Sequence, residues 1–169
     1  MKRTLTYLID ANVLITAKNS YYPMDRVPEF WDWLVHQGSH GNIKIPIEIF
    51  EELKLGNDDL ADWCKDDTVA DALNFDEDVD IELVRHVVEN GYAPDLTDDE
   101  YEKIGRDPFL VAHAQSNPGD RTIVTTEVSK PARQRGNRHL PDVCADLGIP
   151  CCDTFQMMAN LDFTTGWNA

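Results

Sequence analysis

One stretch of sequence decides the fold: Tyr7-Leu8-Ile9-Asp10-Ala11-Asn12-Val13-Leu14. The apolar run before Asp10 is typical of a buried β-strand, which we predict over residues 4–9. A carboxylate directly after a buried strand is costly unless it is paired or bound to a metal. Asn12 is the expected N-cap of a helix over residues 13–18. This order places Asp10 at the carboxyl end of a strand, where open α/β sheets bind ligands. The alternative is a turn aspartate that is satisfied by nearby backbone N–H groups.

The remainder of the chain alternates short apolar runs with helical patterns. Further strands are predicted at residues 43–45, 122–125 and 149–152. Helices are predicted over residues 28–37, 46–56, 107–115 and 141–147, and after Asp153. The alternation predicts a three-layer α/β domain with a mainly parallel central sheet of about four or five strands. We expect a single domain over residues 1–169, with an acidic helical insertion at about 58–102.

The negative charge is concentrated in that insertion. The net charge of the chain is −16. Residues 58–102 hold 17 Asp and Glu residues against Lys65 and Arg85, a net charge of −15, so the remainder of the chain is almost neutral. An acidic face repels phosphate backbones. We therefore expect this segment to face away from any nucleic acid or to meet a basic partner.

The cysteines predict neither a zinc site nor a disulfide framework. Cys64, Cys144, Cys151 and Cys152 form no C-x-x-C pair. We expect reduced thiols and a cytoplasmic location. Asp10 interrupts the first apolar run, so neither a signal peptide nor a membrane span is predicted there.

Four carboxylates occupy comparable positions, at strand ends or on the helices that follow. They are Asp10, Glu52, Asp107 and Glu127. Each has an ordinary alternative: Glu52 shares a helix face with Glu48 and is compatible with a solvated surface. Asp107 precedes Pro108 and is a natural N-cap. Because parallel strands end at one edge of a sheet, we expect the four side chains to meet there.

These segments, taken in order, resemble the PIN-domain nuclease family. The matching pieces are Leu8-Ile9-Asp10-Ala11-Asn12-Val13-Leu14, Glu52-Leu53-Lys54-Leu55-Gly56, Asp107-Pro108-Phe109-Leu110-Val111-Ala112-His113-Ala114 and Ile123-Val124-Thr125-Thr126-Glu127. The middle acidic segment is longer than in the short toxin-type PIN ribonucleases. The Leu-Pro-Asp-Val-Cys segment at residues 140–144 is similar to a bacterial PIN-like branch.

The resemblance implies a metal-dependent endoribonuclease that cleaves RNA phosphodiester bonds. It implies that Asp10, Glu52 and Asp107 bind Mg²⁺ or Mn²⁺, together with a fourth acid. That acid is commonly Asp, and this chain has Glu127, so Asp142 is an alternative ligand. Glu48 is likewise an alternative to Glu52. The resemblance extends to a toxin of a toxin–antitoxin pair, with an RNA substrate, an antitoxin protein and a homodimer as partners.

The chemistry of the acid set agrees with this resemblance. Two carboxylates about 4 Å apart repel by roughly 4 kcal/mol at an effective dielectric constant near 20. A cation offsets that repulsion, and oxygen ligands without Cys or His suit Mg²⁺ or Mn²⁺ better than Zn²⁺.

A basic loop follows Glu127. The predicted RNA-binding residues in it are Lys130, Arg133, Arg135 and Arg138. No acid lies between Val128 and Pro141. Phosphate chains need such cations along their path. Lys44, Lys103 and Arg106 are candidates to extend the track.

Three other functions are considered. A PIN-fold module that binds RNA or protein without cleavage is the main alternative. A haloacid-dehalogenase-type phosphatase needs a second Asp where this chain has Asn12. A nucleotide-binding fold needs a G-x-G-x-x-G or P-loop segment after the first strand, and none is present.

Overall fold

A five-stranded sheet lies at the centre of the protein, whose computed structural model describes residues 5–169. The strands are β1 (Thr6–Ile9), β2 (Ile43–Pro46), β3 (Asn74–Phe75), β4 (Arg121–Val124) and β5 (Cys151–Cys152). Their spatial order is β3-β2-β1-β4-β5, and every pair is parallel. The predicted α/β class and parallel sheet are confirmed. Residue 4 of the predicted first strand lies outside the described residues.

Helices flank the sheet and complete a three-layer arrangement. They are α1 (Ala11–Thr16), α2 (Pro28–Ser39), α3 (Ile47–Lys54), α4 (Asp59–Lys65), α5 (Asp67–Leu73), α6 (Ile81–Val87), α7 (Asp98–Ile104), α8 (Asp107–Gln115), α9 (Leu140–Leu147) and α10 (Thr154–Asn160). Helices α1 and α6 continue into π-helical turns at Ala17–Tyr21 and Val88–Tyr92, and Arg135–Asn137 forms a 3-10 turn. Within residues 5–169, no helix has the length and apolar character needed to cross a membrane.

Burial on both faces explains the strand sequences. Leu8, Ile9, Ile43, Ile45 and Val124 are fully buried. A parallel sheet is covered by helices on both sides, so its strands are almost continuously apolar. β1 is the middle strand and lies between β2 and β4, so Asp10, the residue that follows it, lies in the middle of one edge of the sheet.

The acidic segment owes part of its composition to helix capping. Asp58, Asp66 and Asp80 accept hydrogen bonds from the first backbone N–H groups of α4, α5 and α6. Thr97 and Glu100 form a capping box at the start of α7. The segment predicted as a helical insertion contains four helices and also the short strand β3.

Three local predictions are wrong. Asn12 lies inside α1, and its N-cap is Asp10, which makes no side-chain capping bond. Asp107 is the first helical residue of α8, whose N-cap is Arg106. The helix predicted over residues 28–37 continues to Ser39, and Gly38 is buried within it.

Gly38 is required by close packing between two helices. A Cβ atom at this position would lie 2.6 Å from the Ala72 carbonyl oxygen and 2.7 Å from Leu73 Cδ2.

Replacing a glycine by alanine within a helix normally stabilises the protein by roughly 0.5–1 kcal/mol. We expect Gly38→Ala to have the opposite effect and to lower the free energy of unfolding by about 1–3 kcal/mol, because the added methyl group overpacks the contact between the helices. Chemical denaturation measures the change. Ser39→Ala, at the exposed next position, is the matched control and should shift stability by less than about 0.5 kcal/mol; a more stable Gly38→Ala would contradict the packing.

Candidate active site

Asp10 is a buried carboxylate at the end of the central strand. Only 5% of its surface is exposed. The Thr125 hydroxyl donates a hydrogen bond to its Oδ2 atom over 3.1 Å. Burial and then the charge of Glu127 raise the pKa of Asp10 to about 6, with a smaller contribution from Glu52. The Thr125 hydroxyl and the Ala11 N–H oppose that rise in pKa but do not cancel it. The folded protein therefore holds Asp10 where its ionised form is unfavourable.

Asp107 is a second carboxylate whose charged form is disfavoured, and no hydrogen bond within residues 5–169 offsets this effect. Among residues 5–169, its carboxylate has neither a hydrogen-bond partner nor an ion pair. Burial raises the pKa of Asp107 to about 8, and the charges of Asp10, Glu127 and Glu52 add to the shift, in that order. Each of these charges acts on Asp107 because the side chains are close neighbours at one edge of the sheet.

Two glutamates complete the acidic cluster, which we define as Asp10, Glu52, Asp107 and Glu127. Glu127 follows β4, and its Oε2 atom accepts a hydrogen bond from the Leu140 N–H over 3.0 Å, at the start of α9. Glu52 is exposed on α3 and influences both aspartates through its charge. The charges of Glu52 and Glu127 thus act on both aspartates, so the four side chains interact electrostatically. Within residues 5–169, no three His, Cys, Asp or Glu side chains are arranged so that they could hold a metal ion.

Glu48 is engaged elsewhere. Its Oε2 atom lies 3.1 Å from Nε2 of His113, which is almost completely buried on α8. This contact ties α3 to α8. Of the two glutamates on one face of α3, Glu52 is the one that acts on Asp10.

Asp142 is also separate from the acidic cluster. Its oxygens accept hydrogen bonds from the Ser129 hydroxyl at 2.5 Å and from the Lys130 N–H at 2.8 Å. Burial acts to raise its pKa, but these two bonds and the charge of Arg138 outweigh it, so the pKa of Asp142 is lowered. Asp142 fastens the segment after β4 to α9, and Glu127 is the acid that faces Asp10.

A hydrogen-bond network that the sequence did not predict links β1 to β4. The Asn12 amide nitrogen donates to the Thr125 hydroxyl at 3.1 Å, and its amide oxygen accepts from the Thr126 N–H at 3.1 Å. The Glu127 N–H also donates to the Thr125 hydroxyl, at 3.2 Å. With both lone pairs engaged, that hydroxyl has its single proton available for Asp10. Asn12 therefore orients the Thr125 hydroxyl and caps no helix.

Tyr92 is a second residue that sequence reasoning missed. Its side chain is 8% exposed, and its hydroxyl has no hydrogen-bond partner within residues 5–169. Burial, followed by the charges of Asp107 and Glu127, raises the pKa of Tyr92 well above its usual value. Leaving a buried hydroxyl unpaired costs about 1–3 kcal/mol. No sequence pattern distinguishes this tyrosine from the others.

The basic loop is only partly available for a ligand. Arg135 pairs with Asp95 at 2.7 Å and with Glu100 at 3.1 Å. Arg138 pairs with Asp146 at 2.5 Å and donates to the Gly91 carbonyl at 2.6 Å. These two guanidinium groups anchor the loop to the rest of the chain.

Lys130 and Arg133 remain as free cations in this loop. Both are exposed, and neither forms an ion pair within the described part of the chain. Of the further candidates, Lys44 donates to the Ala72 carbonyl at 2.8 Å, and Lys103 is hydrogen-bonded to Asn137. Arg106 is exposed at the start of α8. The predicted cationic track is therefore shorter than the sequence suggested.

The ion pairs of Arg135 also neutralise two of the charges of the acidic segment. Asp95 and Glu100 both belong to residues 58–102, so this segment meets a basic partner within its own chain. The Arg135 guanidinium, with the Gly136 N–H, lowers the pKa of Glu100 to about 2.

The fold and the acidic cluster define an α/β protein with a carboxylate site at the carboxyl edge of a parallel sheet. The chain belongs to the DUF4411 family, a domain of unknown function, which matches residues 7–165. Comparison with curated proteins returns no match.

The raised pKa values predict how stability depends on pH. The folded protein binds more protons than the unfolded chain from about pH 4 up to the raised values, so stability should fall as pH rises through about 6 and 8. We expect Asp107→Asn to raise the unfolding free energy of chelator-treated protein by roughly 2 kcal/mol or more at pH 9, because the amide carries no charge. At pH 4.5 the effect should be small, since folded Asp107 is then protonated.

Urea denaturation at both pH values measures this difference. Asp71→Asn, an exposed aspartate on α5, is the control and should show no comparable pH-dependent gain. Equal effects of Asp107→Asn at the two pH values would show that Asp107 is not strained by its neighbours.

Proposed function

We propose that this protein is a metal-dependent endoribonuclease that hydrolyses RNA phosphodiester bonds. The observation that carries the proposal is the acidic cluster. Burial raises the pKa of both Asp10 and Asp107, and the charges of Glu127 and Glu52 raise both pKa values further. Neither carboxylate is paired with a basic side chain within residues 5–169. A site that concentrates uncompensated carboxylates is best explained by a cation that binds there.

The donor set fits Mg²⁺ or Mn²⁺. All four side chains offer carboxylate oxygens, and neither Cys nor His belongs to the cluster. Such ligands suit hard cations. Asp10, Glu52, Asp107 and Glu127 are the proposed ligands, and the two glutamates have the longer, more adaptable side chains. When bound, such an ion lowers the pKa of a water molecule and stabilises the charge that develops on the phosphate.

The chain's own groups have distinct roles in this proposal. The Thr125 hydroxyl holds Oδ2 of Asp10. The Leu140 N–H holds Oε2 of Glu127 in the same way. Supporting hydrogen bonds of this kind fix the orientation of carboxylates that bind a metal. Lys130 and Arg133 supply positive charge for the RNA backbone near Glu127.

The resemblance to the PIN-domain family supports the same activity. It extends the proposal to a cytoplasmic toxin of a toxin–antitoxin pair, with an antitoxin protein and a second copy of the chain as partners. The alternative is an RNA- or protein-binding module of the same fold that does not cleave.

Mutation of the cluster tests the nuclease. We expect Asp10→Asn to reduce Mg²⁺- or Mn²⁺-dependent cleavage of single-stranded RNA by about 100-fold or more, because ligand loss exceeds the usual cost of losing a supporting bond. Glu52→Gln should also impair cleavage, whereas Glu51→Gln, the exposed neighbour on α3, should not. Gel electrophoresis of labelled RNA gives the rates, and circular dichroism shows that each variant is folded. Wild-type protein that binds RNA but does not cut it with either metal would support the binding module instead.

A second prediction concerns the free cations of the loop. We expect the double variant Lys130→Ala/Arg133→Ala to bind RNA more weakly and to lower the slope of log affinity against log salt by about 1.4, or roughly 0.7 per lost phosphate contact. Arg135→Ala should instead lower thermal stability, because its guanidinium joins the 3-10 turn to α7. Fluorescence anisotropy in the Asp10→Asn background measures binding without cleavage. Arg26→Ala, whose side chain is exposed beside Asp25, is the control. An unchanged salt slope in the double variant would place the RNA elsewhere.

A further inference from the structure

We propose that a small pocket next to the acidic cluster binds one phosphate group of the substrate strand, and that the Tyr92 hydroxyl donates a hydrogen bond to it. This inference rests on the proposed nuclease function and adds a binding subsite to it. The Tyr92 pocket has a volume of about 170 Å³ and is lined by Tyr92, Lys103, Asp107, Glu127, Arg133 and His139, among others.

The Tyr92 hydroxyl indicates what the pocket accepts. It is buried and has no partner within residues 5–169, and Tyr92 is one of the residues that line a polar cavity. A buried hydroxyl is almost always hydrogen-bonded in a folded protein, so one that is not calls for an explanation. A ligand oxygen in the pocket supplies the missing acceptor.

Basic side chains also line the pocket. Arg133 is one of them and has no ion pair in the described part of the chain. Lys103 is another, and within residues 5–169 its ammonium is bonded only to the neutral Asn137 side chain. His139 Nδ1 lies 2.8 Å from the Val128 carbonyl oxygen and donates to it, so Nε2 would donate only from the imidazolium form. The Tyr92 hydroxyl and the two cations favour an oxyanion with several acceptor oxygens.

The lining carries both signs of charge, and this fits a phosphate close to a metal site. Asp107 and Glu127 are its acidic residues and belong to the acidic cluster. A cation held by those acids, together with the basic side chains of the lining, would offset the charge of a phosphate. The volume is below the roughly 300–1,000 Å³ of pockets that enclose whole small-molecule ligands, so a single phosphate fits better than a nucleoside.

The pocket is preformed by the anchored loop. Gly136 approaches α7 so closely that a Cβ atom there would lie 2.9 Å from Glu100 Cβ. The Gly136 N–H and the Arg135 guanidinium both donate to the Glu100 carboxylate. Arg138 holds the other side through the Gly91 carbonyl, next to Tyr92. Such preorganisation reduces the entropy lost when a ligand binds.

Tyr92→Phe tests the subsite with the loss of a single oxygen atom. In the Asp10→Asn background, we expect affinity for a single-stranded ten-nucleotide RNA to fall about tenfold, since a hydrogen bond to a charged group is lost. The melting temperature should stay the same or rise, because the hydroxyl has no partner in the free protein. Tyr101→Phe, at an exposed position on α7, is the matched control and should leave affinity unchanged. Unchanged affinity in Tyr92→Phe, or a lowered melting temperature with unchanged affinity, would overturn the proposal.

Arg133→Gln provides an independent variant, with Arg26→Gln as its control. We expect the first to weaken RNA binding and to weaken competition by inorganic phosphate, and the second to change neither. Oligonucleotides with a 5′-phosphate and with a 5′-hydroxyl identify the source of the bound group. A preference for the 5′-phosphate that disappears in Tyr92→Phe assigns the pocket to a terminal phosphate. Equal affinities that both fall in Tyr92→Phe assign it to an internal phosphodiester.

The subsite and the nuclease can fail separately. Wild-type protein that cleaves RNA while Tyr92→Phe and Arg133→Gln retain its KM and affinity would overturn the subsite and leave the nuclease intact. If wild-type protein does not cleave RNA with Mg²⁺ or Mn²⁺ but Tyr92→Phe still weakens RNA binding, the phosphate subsite is supported and the nuclease is not.

Discussion

Repulsion among the carboxylates of Asp10, Glu127 and Asp107 is the constraint on which the site depends. Burial and the charge of Glu127 raise the pKa of Asp10, and burial with the charges of Asp10 and Glu127 raises the pKa of Asp107, which is partly exposed. Burying like charges opposes folding, so the surrounding structure must hold these residues together. The buried strands that end at this edge of the sheet provide that support.

The position of each acid follows from the strand order. Because β1 is central and β4 is its neighbour, Asp10 and Glu127 emerge at the same edge. Thr125 then joins them, since its hydroxyl contacts the Asp10 side chain and the Glu127 backbone. Asn12 fixes the orientation of that hydroxyl through its amide group. The site therefore relies on contacts between residues more than a hundred positions apart in the chain, and the parallel pairing of two strands makes those contacts possible.

This dependence on distant contacts separates what could be predicted from what could not. Long apolar runs and proline at helix starts are local signals, and they predicted β1, β4, α2 and α8 to within a few residues. β3 has only two residues, so its sequence has no recognisable period, and its pairing with β2 is tertiary. The four carboxylates were predicted from their positions after strands and at helix starts. The role of Asn12 was not, because Thr125 and Thr126 compete with the capping position for its side chain.

The acidic segment shows a further limit of prediction from sequence. The net charge of a segment does not tell how that charge is distributed over the folded surface. Residues 58–102 carry most of the negative charge of the chain, yet they contribute Tyr92 to a pocket that basic side chains also line. Several of their acids cap helices or pair with Arg135, so those charges are already engaged. Salt screens exposed charges beyond about 8 Å at physiological ionic strength, so exposed acids farther than that from the pocket have little influence on a ligand in it. An anion that approaches the Tyr92 pocket responds mainly to Arg133, Lys103 and the acids beside them. Local geometry therefore decides whether this strongly acidic protein can bind a phosphate chain.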